Sequence, residues 1–240
     1  ENCPYQYKLR YVDGIKVEKD TIERFLGGVV HLTLEYLYED AMKGNKREAD
    51  AVIKLYHWFW DKNFKDSIII VKKKYSMNDY RKTGEKSIKR YYDKHFPFNK
   101  NKVVGLEERI LIKLDSEGKY LLNGVIDRID ETPDGKIEIH DYKTGMTLPT
   151  QKAIEEERQL ALYHIGIKDR KENEGKQIVL IWHYLMFGQE FVLVKTEDQL
   201  HKVKIETLKV IEEVENTREF NQKKGPLCNY CEYFRDYCNP

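Results

Sequence analysis

Asp127, Asp141 and Lys143 are the residues of this chain whose types and spacing could do chemistry together. Asp127 lies in Gly124-Val125-Ile126-Asp127-Arg128-Ile129-Asp130, and the other two in Ile139-His140-Asp141-Tyr142-Lys143-Thr144-Gly145. Thr132-Pro133-Asp134-Gly135 between them reads as a tight turn, with Pro presetting φ and Gly suiting the exit. The alternating flanks, rich in Val, Ile and Tyr, read as strands. Val125 and Ile129 on one strand must share a face with Ile137 and Ile139 on the other, so Ile129 lies opposite Ile139 and Asp127 opposite Asp141. Lys143, two residues past Asp141, points the same way. Two facing carboxylates repel unless a cation lies between them or one is protonated. Hard oxygen ligands of this kind suit Mg²⁺ or Mn²⁺. An ammonium alongside can orient or help deprotonate a metal-bound water, which completes the parts for metal-assisted phosphodiester hydrolysis. A surface hairpin carrying a salt bridge is the bland reading of the same spacing.

The elements that must position these residues follow from periodicity. Cys3 to Tyr11 reads as a short aromatic helix opening at Pro4. Asp20-Thr21-Ile22-Glu23 reads as a capping box before a helix to about Asp40, with an apolar stripe of Ile22, Phe25, Leu26, Val29, Tyr36 and Leu37. His31 falls on the other face, one turn after Gly27, where a neighbouring group can approach closely. A lone helical histidine is more often solvated or structural than functional. Residues 51–64 form a second helix, whose aromatic residues read as core.

Residues 71–102 hold eleven Lys/Arg against three Asp/Glu, although the whole chain carries only +1. Lys72, Lys73, Lys74, Arg81, Lys82, Lys89 and Arg90 interleave with tyrosines over a largely helical stretch to about His95. Such a tract suits a phosphate track with stacking platforms, or simply a solvated helix face. Residues 103–114 begin a sheet, and the turn at Asp115-Ser116-Glu117-Gly118 brings Glu107 near Asp127 as a further ligand, a supporting group or a plain surface residue. Residues 150–168 read as one helix carrying Gln159 and Tyr163 on a shared face. Residues 177–187 and 190–196 form another hairpin through Gly188, and a helix from Glu197 to about Phe220 follows. This order predicts an α/β fold with a mixed central sheet flanked by helices.

Hydrophobic residues make up 40% of the 240 and aromatic ones 12%, enough for a sizeable core in a very polar chain. No apolar run is long enough to span a membrane and no signal peptide is visible, so a cytoplasmic location is expected. The sequence does not begin with Met, so residues before Glu1 are expected. It also lacks G-x-x-x-x-G-K-[ST], the phosphate loop of an ATPase.

G-x-I-D-R-I-D, a short turn and D-Y-K-T-G together resemble the core of the RecB-like nucleases in the PD-(D/E)XK superfamily. The resemblance implies a restriction-endonuclease-like fold in one domain over residues 1–240. That domain divides into a mainly helical part (1–100), a nuclease core (103–196) and a C-terminal helix with cysteines (197–240). It makes Asp127, Asp141 and Lys143 the catalytic set. Gly28-Val29-Val30-His31 resembles the family's G-x-x-H element, which implies His31 as a metal ligand beside Asp127, Asp141 and the Tyr142 backbone carbonyl. Gln159 to Tyr163 resembles its Q-x-x-x-Y element, which contacts the nucleic-acid strand. His140 stands where the family usually has an apolar residue. It lies on the opposite strand face from Asp141 and is expected to matter little to the site.

Cys3, Cys228, Cys231 and Cys238 are the only cysteines. Disulfides, structural zinc and an iron–sulfur cluster are the competing readings. Nothing indicates secretion, which counts against disulfides, and spacing alone leans to zinc. One upstream cysteine followed by C-x₂-C-x₆-C, with Cys3-Pro4 preceding Tyr7, resembles AddB-like and CRISPR-associated exonucleases of the same family. That likeness implies a [4Fe–4S] cluster as a structural staple between the N- and C-terminal segments, with Zn as the alternative. The implied activity is a Mg²⁺- or Mn²⁺-dependent deoxyribonuclease, an exonuclease in the first instance, acting on DNA, single strands ahead of duplex. It would work with a CRISPR integrase or with a helicase. A DNA-binding scaffold without catalysis is the rival from another class.

Overall fold

The computed structural model describes residues 3–238. In chain order the elements are α1 (Pro4–Tyr7), β1 (Asp20–Thr21), α2 (Ile22–Met42), α3 (Ala49–Asn63), β2 (Ile68–Ile69), α4 (Met77–His95), β3 (Lys102–Lys113), β4 (Leu121–Glu131), β5 (Ile137–Lys143), α5 (Gln151–Glu155), α6 (Gln159–Lys168), β6 (Ile178–Tyr184), β7 (Gln189–Leu193) and α7 (Glu197–Asn216). β3 to β7 form one five-stranded sheet in sequence order. All neighbours are antiparallel except β5 and β6, which run parallel across the α5–α6 crossover. The expected mixed sheet flanked by helices is therefore present.

Strand alternation divides the sheet between two cores. Ile129, Ile137 and Ile139 pack with Leu180 and Trp182 against Leu160, Ala161 and Ile165 of α6 and Leu200 and Val203 of α7. The other face meets the helical layer of α2, α3 and α4, where Tyr142 and Leu185 join Leu34, Tyr38, Tyr91 and Tyr92. Among the described residues, no helix is long and apolar enough to cross a membrane.

Several boundaries differ from the sequence expectation for identifiable reasons. The capping box at Asp20 does not form. Thr21 is the N-cap and accepts from Arg24 N–H, while Glu23 accepts instead from the Tyr80 hydroxyl at 2.7 Å. Tyr36 is exposed rather than part of the buried stripe, which is completed by Val30, Leu34 and Tyr38. The single helix expected over 150–168 is broken at 156–158, because the Glu157 carboxylate caps a new start by accepting from Gln159 and Leu160 N–H. α7 ends at Asn216, short of Phe220.

α4 begins only at Met77, behind a capping box made by Ser76 and Asp79, so Lys72, Lys73 and Lys74 precede it. Its buried stripe is Tyr80, Gly84, Ser87, Ile88, Tyr91 and Tyr92. A Cβ on Gly84 would lie 2.3 Å from the Tyr56 hydroxyl and 2.6 Å from Leu26 Cδ1. Tyr56 is fully buried and its hydroxyl is held by the Arg81 carbonyl at 3.0 Å, so it has nowhere to swing. Gly84→Ala sets a helix-propensity gain of about 1 kcal/mol against an overpacking cost of about 1–3 kcal/mol or more. The expected result is a net loss, read as a Tm lower by roughly 2–8 °C in thermal unfolding; an unchanged or raised Tm would show that α2, α3 and α4 pack less tightly.

Candidate active site

The β4–β5 register contains Arg128↔His140 and Ile129↔Ile139, the pairing expected from the sequence. Beyond Arg128 the ladder gives way to side chains. The Tyr142 N–H donates to Asp127 Oδ2 at 2.7 Å, and the Tyr142 carbonyl accepts from His31 Nε2 at 2.8 Å. The Lys143 carbonyl accepts from Leu185 N–H on the opposite side of β5, so Tyr142 is the residue whose peptide groups face β4. Its two ladder positions are therefore filled by a carboxylate and an imidazole.

His31 Nδ1 also lies 3.4 Å from Asp127 Oδ1. Glu107 completes a group with His31 and Asp127 whose ligand atoms all fall within 4.8 Å of one another. Glu107 holds φ at 43°, a left-handed conformation inside a strand. Such a conformation costs a non-glycine residue about 1–3 kcal/mol and is characteristic of functional sites. Asp141 stands outside that trio. Its carboxylate takes the Lys143 ammonium at 3.0 and 2.8 Å. Lys143 in turn donates to Gln159 Oε1 at 3.0 Å, and Gln159 Nε2 donates to the Tyr163 hydroxyl at 3.1 Å. Gly124 makes room for this arm, since a Cβ there would lie 2.5 Å from the Tyr163 ring. Gly27, one turn before His31, faces the Thr144 hydroxyl at a would-be Cβ distance of 3.2 Å.

The electrostatics follow from this crowding. Burial pushes the His31 imidazole down, but the hydrogen bond and charge of Asp127, with the Tyr142 carbonyl, outweigh it and raise the pKa to about 9. Burial raises Asp141 to about 6, with Lys143 opposing and the Asp127 charge adding to the rise. Burial lowers Lys143, yet the Asp141 carboxylate holds it above the ordinary lysine value, so it stands as an ammonium. Burial and Asp127 both raise Glu107. His31 thus supplies positive charge between the Asp127 carboxylate and the Tyr142 carbonyl.

The basic tract is organised otherwise than as a stacking track. Tyr80, Tyr91 and Tyr92 are buried in the helical core. Arg81 donates to Asp61 and His57, Lys89 pairs with Asp93, and Arg90 donates to the Met186 carbonyl. Lys72 approaches Met146 and Lys74 lies over the Tyr75 ring. Lys82 adds its charge to the Ser76 hydrogen bonds that hold the Asp79 carboxyl below its ordinary value.

Behind the sheet lies a polar network that composition did not reveal. Arg128, 3% exposed, donates to the Tyr91 and Tyr142 hydroxyls at 2.6 and 2.7 Å and to His140 Nδ1 at 2.9 Å. Its Nε lies 3.0 Å from Asp130, and its guanidinium stacks 4.0 Å from the Tyr38 ring centre. His140 is on this face, opposite Asp141 as expected, and is buried. Charged residues at Arg128 and Asp130, alternating with the buried Ile129 in β4, were the available signal.

The cysteines come from both ends of the chain. Cys3, Cys228, Cys231 and Cys238 line one cavity of about 300 Å³. The N- and C-terminal segments are joined around it. Gln6 donates to Glu232 at 3.0 Å, Tyr233 donates to the Ile15 carbonyl at 2.8 Å, and Tyr7 stacks on Phe220.

The sequence profile of the PD-(D/E)XK nuclease superfamily matches residues 1–239. The chain belongs to the PD-(D/E)XK nuclease superfamily. Its fold resembles the crystal structure of a "Putative exonuclease" from Eubacterium rectale, with a TM-score of 0.53 and 12% identity, over 99% of this chain and 83% of the other. It is also 45% identical over 53 residues to a component of the ATP-dependent helicase/deoxyribonuclease of Streptococcus uberis. That match covers 22% of this chain and spans only 5% of the length of the relative.

A direct check of this electrostatic arrangement is the titration of His31 by NMR in metal-free protein. Its pKa should lie near 9 and fall towards 6.5 in Asp127→Asn, where the main raising group is gone. The raised value stabilises the fold below 6.5, and that contribution fades as pH rises through about 9. A His31 that titrates normally in the parent protein would contradict the Asp127 contact.

Proposed function

We propose that this chain is a Mg²⁺- or Mn²⁺-dependent deoxyribonuclease of the RecB-like type that hydrolyses phosphodiester bonds in DNA. The observation that carries the reading is the convergence of His31, Glu107, Asp127, Asp141 and Lys143 at the open end of the β4–β5 ladder. The donor set fits a hard divalent ion: carboxylates and a carbonyl suit Mg²⁺ or Mn²⁺, and the one imidazole favours Mn²⁺ of the two. His31, Asp127, Asp141 and the Tyr142 carbonyl would hold it, with Glu107 adjacent. When bound, the ion supplies Lewis-acid stabilisation of the charge that builds on the phosphate.

The chain's own residues do the remaining work. Lys143, fixed between Asp141 and Gln159, presents an ammonium that can orient the attacking water and donate to a phosphate oxygen. Gln159 and Tyr163 form a polar arm along which the strand can lie. The Lys/Arg tract adds long-range attraction for phosphate, with Lys72, Lys73, Lys74 and Lys82 better placed for it than Arg81 or Arg90, which are engaged internally. An exonuclease and a preference for single strands remain part of this proposal.

Asp141→Ala and Lys143→Ala should each lower cleavage of single- or double-stranded DNA by about 100-fold or more while circular dichroism stays unchanged. Gel assays with Mg²⁺, Mn²⁺ and chelator are the measurement. Normal cleavage by either variant refutes the assignment. A parent protein that binds DNA but cuts nothing under any of these conditions would favour the scaffold reading.

We also propose that the four cysteines hold a [4Fe–4S] cluster as a structural staple. The four cysteines line one cavity of about 300 Å³, and the choice of an iron–sulfur cluster over zinc rests on the cysteine pattern's resemblance to AddB-like exonucleases. Backbone N–H groups of Lys223 and Gly225 point at Cys3 and Cys228 Sγ, each at 3.4 Å, as suits thiolate ligands. Anaerobically purified protein should be brown with broad visible absorption, and Cys231→Ser should lose the colour and unfold at lower temperature. A colourless protein containing zinc would overturn this choice.

The Streptococcus uberis relative, a helicase/deoxyribonuclease by name, makes a helicase the partner to test first. Neither relative described above bears on a CRISPR integrase.

A further inference from the structure

We propose that His95, His183 and Glu190 form a second metal site, for Zn²⁺ or a similar borderline divalent ion, on the face of the sheet opposite the candidate nuclease centre. The three side chains come from the last turn of α4, from β6 and from β7. His183 and Glu190 are paired neighbours across the β6–β7 ladder, and Tyr142 pairs with His183 from β5, which fixes the face. Ligand atoms of all three lie within 4.8 Å of one another. Glu190 Oε1 is 3.1 Å from His183 Nδ1 and 2.9 Å from His95 Nε2.

Proton positions argue that these contacts are not ordinary hydrogen bonds. Arg128 has only donors, so His140 Nδ1, 2.9 Å from Arg128 Nη2, must be an acceptor. His183 Nε2 lies 2.9 Å from the same His140 Nδ1, and the Nε2–H tautomer of His183 is the one that avoids two facing lone pairs there. A neutral His183 then presents the lone pair of Nδ1 to the Glu190 carboxylate, lone pair against lone pair. A proton on Nδ1 as well would add an imidazolium to the buried guanidinium of Arg128. His95 Nε2 is buried, and its short approach to Glu190 Oε1 is not aligned as a hydrogen bond. A cation at the common focus satisfies all three lone pairs.

The surroundings favour such a site. His95 stacks on Tyr91 at 4.2 Å between ring centres, and His183 meets the Tyr91 ring edge-on, so both imidazoles are held in orientation. Lys94 pairs with Glu190 Oε2 at 2.9 Å, leaving Oε1 for the metal. All three residues border a polar cavity of about 310 Å³, which offers room for a water as fourth ligand. Asp130, Glu138 and His140 line the same cavity. Two imidazoles and one carboxylate select Zn²⁺ over Mg²⁺ or Ca²⁺. Bound there, the ion would fasten α4 to the β6–β7 hairpin directly behind the strands that carry Asp141 and Lys143.

The test uses protein with its cysteine site intact and the front site disabled by His31→Gln and Asp127→Asn. Zinc content after dialysis against dilute ZnCl₂, and Tm with and without zinc, are compared before and after adding His95→Gln. The expected result is one further equivalent of zinc and a zinc-dependent rise in Tm, with affinity weakened by about 100-fold or more in the His95→Gln protein. Equal zinc binding by both proteins overturns the proposal. A second readout needs no additional variant: zinc, but not Mg²⁺, should shift the ¹⁵N resonance of His183 Nδ1, and an unmoved resonance overturns the site.

Discussion

The buried guanidinium of Arg128 is the interaction on which the arrangement of layers depends. It touches α2 through the Tyr38 ring, α4 through the Tyr91 hydroxyl and β5 through Tyr142 and His140, while Asp130 on its own strand balances its charge. A buried charge left without its partner costs about 3–5 kcal/mol, whereas an exposed pair such as Lys89–Asp93 contributes about 0–1 kcal/mol. The single cation therefore outweighs any one of the surface pairs in fixing how the helical layer sits on the sheet. Arginine suits this post because its planar fork can donate in several directions at once and still offer a face to an aromatic ring.

The same strands carry two chemistries because side chains alternate. Asp141 and Lys143 face one way, and Arg128, Asp130 and His140 the other; Asp127 sits where the alternation of β4 breaks, since Ile126 and Ile129 both enter the same core and Val125, expected beside Ile129, is exposed. Tyr142 belongs to both, its backbone holding Asp127 and His31 while its hydroxyl and ring serve the network behind. A shift of one residue in register would exchange the two sets. The paired isoleucines forbid it, since Ile129, Ile137 and Ile139 would then leave their core.

Much of this was legible in the sequence, and the reasons are local. The hairpin could be read because turn chemistry and a period of two agree, and they fix Ile129 opposite Ile139 without reference to the rest of the chain. The neighbourhood of Glu107 and Asp127 followed from a second turn in the same way. The basic tract misled because charge was counted before periodicity. Tyr80, Gly84, Ile88, Tyr91 and Tyr92 recur at helical spacing and mark a buried stripe, so the tyrosines serve packing. The break in the expected 150–168 helix was hidden because Glu157 is an ordinary helix former until it turns back to cap its successors. The Arg128 network joins four separate elements, and no spacing rule spans them.

That break in the crossover helix also decides what the first amides of α6 can bind. The first amides of α6 would otherwise form an anion-binding end beside Lys143. Glu157 already occupies them with its own carboxylate, and its negative charge is felt at Lys143. Those amides are therefore closed to a second anion, and the Lys143 ammonium remains as positive charge at this end of the crossover.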